Sequence, residues 1–137
     1  MIKEKCIFCQ IAEKALPAKI IFESNQALAF LDICPVSDGH SIVIPKKHYL
    51  NLESIPLEEL QYIIKIVKEI ATLIHYKLQI DGYNILQNNF QAAGQVIDHF
   101  HFHIIPRRMN DSKFRLYIPR EKAKDEDLNS IYKLLID

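Results

Sequence analysis

Three histidines, His99, His101 and His103, alternate with Phe100, Phe102 and Ile104 in a chain that carries six histidines. On a strand, alternate side chains share a face. One face therefore presents three imidazoles, and the other presents two aromatic rings and an aliphatic chain suited to a core. Desolvating such rings without a task costs about 1–3 kcal/mol for each one left unpaired, so the array points to function. At ~3.3 Å per residue, His99 and His103 lie about 13 Å apart, too far to share a metal, whereas neighbours about 6.6 Å apart can. Two chemistries fit. Two of the three rings hold a metal, or one neutral imidazole attacks phosphorus while its other nitrogen fixes the tautomer. In the second case the adjacent ring and nearby amides stabilise the phosphoryl oxygens.

The surrounding residues favour phosphate. Ala92-Ala93-Gly94-Gln95 is a small-residue turn in which backbone N–H groups can approach an anion, and Gln95, Asn88 and Asn89 add neutral donors. His40 follows the Asp38-Gly39 turn and opens an apolar run, a natural position for a side chain aimed into a site. His75, alone on a helical stretch, reads as an ordinary hydrogen-bonded histidine. Cys6-Ile7-Phe8-Cys9 reads as a metal half-site or a redox pair. Cys34, beside Pro35, reads as an inert, partly buried thiol.

The elements that must position these groups follow from periodicity and turn residues. Residues 8–15 suit a short helix ending before Pro17. Lys19–Glu23 and Ala27–Ile33 read as strands joined at Ser24-Asn25-Gln26, and Ser41–Ile44 as a third strand stopped by Pro45. After Pro56, Leu60, Ile63, Ile64, Val67, Ile70, Ala71, Ile74 and Leu78 recur at spacings of three and four, the stripe of a long helix ended by Asp81-Gly82. Tyr83–Gln87 gives a fourth strand and His99–Ile105 a fifth, stopped by Pro106. Asp125-Glu126-Asp127 opens a last helix, with Leu128, Ile131, Tyr132 and Leu135 on one face. Hairpin-ordered strands around one long helix imply an α+β fold with an antiparallel sheet.

Composition sets the bounds. The chain has 137 residues, 49% hydrophobic and 25% charged, enough for one domain that buries roughly 70% of its unfolded surface. Lys plus Arg and Asp plus Glu each number 17. That balance argues against a nucleic-acid partner, which calls for a basic excess. Apolar stretches are short and broken by charge, so no membrane partner is expected. Met1–Lys5 carries a cation with no apolar run behind it, and a cytoplasmic protein is expected. Arg107, Arg108, Lys113, Arg115, Arg120, Lys122 and Lys124 make the segment after the triad basic, read either as a solvated loop or as an attractor for a polyphosphate or a partner.

His99-Phe100-His101-Phe102-His103-Ile104-Ile105 resembles the motif of the histidine triad (HIT) family of nucleotide hydrolases and transferases. Cys6–Cys9, Phe30-Leu31-Asp32-Ile33, Gly39–Lys46 and Gly94-Gln95 resemble further family segments in the family's order, so the likeness covers about 6–107 of one HIT domain spanning 1–137. The remainder, 108–137, is expected to be a basic loop and a C-terminal helix. The resemblance is to nucleoside phosphoramidases and bacterial dinucleoside-polyphosphate hydrolases. It implies a HIT fold, with a five-stranded antiparallel sheet, one long and one short helix, and the sheet extended across a homodimer. It also implies hydrolysis of a purine nucleotide substrate at its α-phosphorus. His101 would be the nucleophile, with His103 and His40 on the phosphate or leaving group, Asp32 on the ribose hydroxyls, and Asn88 and Gln95 as donors. Phe8, Ile11, Phe30, Ile33 and Ile42 would line the base pocket. Cys6, Cys9, His48 and His99 match the ligands of a structural zinc found in several bacterial members, with no metal required for the chemistry. Two departures stand out. Val96 occupies a position usually held by Ser or Thr, and Phe90 one usually held by Gly. Rival readings are a nucleotide-binding regulatory or signalling protein with little turnover, and a metalloenzyme using His99 and His101.

Overall fold

The computed structural model describes residues 5–112 and 119–137. Along the chain lie α1 (Ile7–Ala12), β1 (Ile20–Glu23), β2 (Ala27–Leu31), β3 (Ser41–Pro45), α2 (Leu57–Leu78), β4 (Gly82–Leu86), a 3-10 turn at Gln91–Ala93, β5 (Phe102–Arg107) and α3 (Asp125–Ile136). The strands form one five-stranded sheet in the order β1-β2-β3-β5-β4, every neighbouring pair antiparallel. This is the α+β architecture expected from the sequence.

Helix α2 begins after Pro56, whose ring fixes the entry φ, and Glu58 and Glu59 in its first turn oppose the dipole. Gln79, in the left-handed conformation at φ 49°, ends it. Its buried stripe is Ile63, Ile66, Val67, Ile70, Ala71 and Ile74. Ile64 and Leu78, assigned to that stripe by spacing, are exposed instead. The stripe packs on one sheet face with Ala27, Ala29, Val43, Phe100, Phe102 and Ile104. The opposite face carries a second apolar cluster, in which Phe8 and Ile11 of α1 cover Leu28, Phe30, Ile42 and Ile44. Cover on both faces explains why residues 27–30 of β2 and 42–44 of β3 are continuous apolar runs rather than alternating ones.

β1, β3 and β4 differ from expectation by one residue at a boundary or at each, and β2 and β5 differ by more. β5 begins at Phe102, not His99, because the preceding residues bond elsewhere: Phe100 N–H donates to Tyr49 O at 2.7 Å and His99 N–H to Ile97 O at 2.8 Å. β5 also runs through Pro106 to Arg107. Its pairing with β3 ends at Ile104, so from there it is locally an edge, where proline is tolerated. β2 ends at Leu31, and the chain turns outward; Cys34 is consequently exposed, not partly buried.

In α3, Leu128, Ile131, Tyr132 and Leu135 are all exposed. Arg107 donates to the Asp111 carboxylate and to Asn84 Oδ1, and Arg108 caps α2 through the Leu78 and Gln79 carbonyls, so these two cations are structural. Arg120, Lys122 and Lys124 are exposed, and Lys113 and Arg115 lie outside the described residues.

Candidate active site

The extended run into β5 places His101 against the second apolar cluster, with its ring 5.1 Å from Phe8 and 4.9 Å from His103, edge to face. His101 Nδ1 lies 2.7 Å from the main-chain oxygen of His99. A carbonyl only accepts, so Nδ1 carries the proton and Nε2 keeps its lone pair. Burial holds the His101 pKa below its ordinary value, against the opposing pull of the His99 carbonyl and Asp32. The ring is thus a neutral imidazole with a fixed tautomer, the state a nitrogen nucleophile requires.

A second pair is fixed from a loop. Val36 N–H donates to His40 Nδ1 at 3.0 Å, so in the neutral ring the proton sits on Nε2. That N–H faces His103 Nδ1 at 2.9 Å, with Asp32 Oδ2 3.5 Å away. His103 accepts at Nδ1 and therefore presents its own proton at Nε2, as a donor. Burial lowers the His103 pKa to about 4, aided by the neighbouring His101 and His40 rings, and burial also lowers that of His40. Asp32, His40 and His103 converge closely enough to suggest a metal. The Val36 contact argues against one, because a ring whose Nδ1 accepts a proton donor has no lone pair at Nε2 for an ion. His40 itself is aimed by Gly39, whose φ of +90° suits glycine and whose Cβ, if present, would meet Leu78 Cδ1 at 2.5 Å.

Beside the histidines, Phe8, Ile11, Phe30, Asp32, Ile33 and Ile42 all line one mainly apolar cavity of about 250 Å³ between α1 and the sheet. Ile33 sits at its rim, 91% exposed. Asp32 Oδ1 accepts from Cys34 N–H at 2.8 Å, which orients the carboxylate.

The amides expected from the sequence to serve as donors differ among themselves. Asn88 lies near the surface with only a long contact, Nδ2 to Gly94 O at 3.4 Å. Asn89 Oδ1 instead takes Leu52 N–H, and its amide pairs with Gln87. Gln95 is buried, with Nε2 donating to Leu50 O and Ile97 O and Oε1 accepting from Phe90 N–H. Both its N–H bonds are engaged, so the side chain braces the turn. Phe90 is held at φ 70°, ψ 158°, a region almost reserved for glycine.

Cys6, Cys9, His48 and His99 bring four ligand atoms within 4.8 Å of one another. His99 Nε2 faces Pro45 O at 2.8 Å and so carries the proton, leaving Nδ1 free of one. Nδ1 is 3.4 Å from Cys6 Sγ and 3.5 Å from Cys9 Sγ, and His48 Nδ1 is 3.4 Å from Cys9 Sγ. Tetrahedral Zn–S and Zn–N bonds of ordinary length imply an S···N edge of about 3.6 Å. The four residues therefore fit a closed tetrahedral site. Among the described residues, neither cluster that could hold a metal includes His101, contrary to the metalloenzyme reading of the His99 and His101 pair. Sequence reasoning missed the Val36 amide and the Pro45 and His99 carbonyls, because main-chain groups carry no residue signature. His75 is exposed on α2 against Tyr83.

The HIT domain family model matches residues 13–110. A HIT-like protein of Methanocaldococcus jannaschii is 44% identical over 128 residues, covering 93% of this chain and 96% of its own. The adenosine 5′-monophosphoramidase of Saccharomyces cerevisiae is 37% identical over 131 residues, covering 96% and 80%. Among solved structures, a zinc-bound histidine triad family protein of Mycobacterium smegmatis superposes with a TM-score of 0.76 at 34% identity, covering 96% of this chain and 95% of that one.

Proposed function

The chain belongs to the HIT domain family, and from that premise we propose that it hydrolyses nucleoside 5′-phosphoramidates or dinucleoside polyphosphates at the α-phosphorus. The observation that carries the reading is the His101 tautomer, with Nδ1–H committed to the His99 carbonyl and Nε2 left as a lone pair. Similarity to an adenosine 5′-monophosphoramidase supports the substrate class.

In this reading the base enters the cavity lined by Phe8, Ile11, Phe30, Ile33 and Ile42, and Asp32 accepts hydrogen bonds from the ribose hydroxyls. His101 Nε2 forms a bond to phosphorus as the bond to the amine or nucleotide leaving group breaks. The positive charge that develops on the imidazole is relieved at Nδ1–H by the His99 carbonyl. His103, backed by His40, offers Nε2–H to a phosphoryl oxygen or to the leaving group, and Asn88 adds a donor. Water then cleaves the nucleotidyl-histidine and restores neutral His101. Gln95 contributes by holding the turn, since its amide has no free N–H for phosphate. Cys6, Cys9, His48 and His99 would hold a structural zinc, which fastens α1 to the sheet without entering the reaction. We place the protein in the cytoplasm as a homodimer, with all of 1–137 as one domain; edge strand β4 exposes Tyr83 and Ile85, which suits sheet extension.

A nucleotide-binding protein with little turnover is the second reading. What favours it is the donor count, because Gln95 is committed to the turn and Val96 has no hydroxyl. AMP release from adenosine 5′-phosphoramidate and from diadenosine tetraphosphate, for wild type and His101→Ala, separates the two. Release that disappears in the variant supports the hydrolase. No release from either substrate, in protein that binds AMP, would establish the binding reading.

A further inference from the structure

Helix α1 occupies an unusual position between the metal cluster and the nucleotide pocket. It has only six residues, and helices this short are not stable by themselves. Among the described residues its first turn carries no acid and its last turn no base, and its N-cap contact is a 3.4 Å approach of Cys9 N–H to Cys6 Sγ. Cys9 is buried within the helix and Cys6 caps it. The metal-facing atoms of its partners come from distant segments, His48 after β3 and His99 before β5. The same turn of helix carries Phe8, whose ring meets Phe30 at 5.6 Å and His101 at 5.1 Å, and Ile11; both line the cavity assigned to the base. One wall of that cavity is thus a segment that also supplies two members of the four-ligand cluster.

We propose that the Cys6, Cys9, His48 and His99 centre controls nucleotide affinity by docking α1, which makes Cys6 and Cys9 positioning residues for nucleotide binding. The proposal rests on the assignment of the cavity to the nucleotide base. Without the ion, α1 loses its metal bonds and keeps apolar contacts, sulfur–imidazole approaches of 3.4–3.5 Å and, just beyond its end, the Lys14–Glu23 ion pair. α1 then samples undocked states, and apparent affinity falls by the fraction that remains docked. His101 loses the Phe8 ring that packs on it at 5.1 Å but keeps the bond that fixes its tautomer. The His99 ring keeps its bond to Pro45 O, and the His99 carbonyl that holds His101 Nδ1 belongs to a backbone anchored by Phe100, which is wholly buried. Loss of the ion should therefore weaken binding much more than it slows chemistry.

The test compares zinc-loaded protein, chelator-stripped protein and stripped protein reloaded with zinc, all well below their unfolding temperatures. AMP affinity is measured by calorimetry and amide exchange is followed across α1. Stripped protein is expected to bind AMP about 10-fold more weakly, which corresponds to α1 docked in about one molecule in ten. Exchange in residues 7–12 should rise while β2 and β3 stay protected, and zinc should reverse both changes. Cys9→Ser should raise KM about 10-fold with kcat within about threefold of wild type, a split that general loss of stability would not produce. Equal AMP affinity with and without zinc, or a fall in kcat with KM unchanged, would overturn the proposal. Absence of AMP binding even in zinc-loaded protein would overturn the nucleotide reading itself, and this proposal with it.

Discussion

Replacing Gln95 by Leu distinguishes a brace from a phosphate ligand. The Gln95 amide satisfies three main-chain groups, Phe90 N–H at 2.8 Å, Leu50 O at 2.6 Å and Ile97 O at 3.1 Å, and the residue is 6% exposed. Leucine fills a similar volume but strands Phe90 N–H and Leu50 O, while Ile97 O keeps the His99 N–H at 2.8 Å. Each buried group so stranded costs about 1–3 kcal/mol, less where water can reach it, so about 2–4 kcal/mol in total is reasonable. The strained Phe90 backbone adds to the case, because its N–H bond to Gln95 is one of the contacts that hold it at φ 70°. For 137 residues, an unfolding entropy of about 2.1 cal/mol/K per residue converts this to a fall in Tm of about 7–14 °C. Calorimetric unfolding of zinc-loaded wild type and Gln95→Leu reads it directly. A Tm within about 2 °C of wild type, together with a large loss of turnover, would refute the argument and return Gln95 to the phosphate.

Three further outcomes follow from the same geometry. Phe90→Gly should raise Tm, since glycine adopts the φ 70°, ψ 158° backbone without strain of order 1–3 kcal/mol; thermal unfolding checks it, and a lower Tm would contradict the strain. Gly39→Ala should destabilise by about 1–3 kcal/mol in urea unfolding, because its Cβ would meet Leu78 Cδ1 at 2.5 Å with φ at +90°. His103 has its pKa lowered to about 4 by burial and by His101 and His40. The unfolded chain therefore binds more protons than the folded one between pH 6.5 and about 4. Its contribution to stability is full above pH 6.5 and is lost as pH falls toward 4, so the slope of Tm against pH in that window should flatten in His103→Gln.

Much of this fold is written in local pattern. Alternation in Phe100, Phe102 and Ile104 and the three-and-four spacing from Ile63 to Ile74 report burial directly, and those residues do form the core. Ile64 and Leu78 show where that logic stops, since spacing locates a stripe but not its width. The start of β5 was not legible because Tyr49 O takes the Phe100 N–H, a contact across 51 positions that no window of sequence contains. The site divides in the same way. Residue types announced the three imidazoles and the Cys-x2-Cys pair, whereas the tautomers depend on the Val36 amide and the His99 and Pro45 carbonyls, to which any residue contributes equally. Gln95 was legible as polar and near the triad, but its burial, and hence its bracing role, required the fold.

The central claim is that His101 Nε2 attacks phosphorus. The most direct measurement is intact-protein mass spectrometry after rapid mixing with adenosine 5′-phosphoramidate and quenching at alkaline pH, where a phosphoimidazole survives. The account predicts a transient gain of one adenylyl group, mapped to the peptide carrying His101, present in wild type and absent in His101→Ala. Turnover in which wild type never gains that mass, or an adduct that persists in His101→Ala, would contradict it.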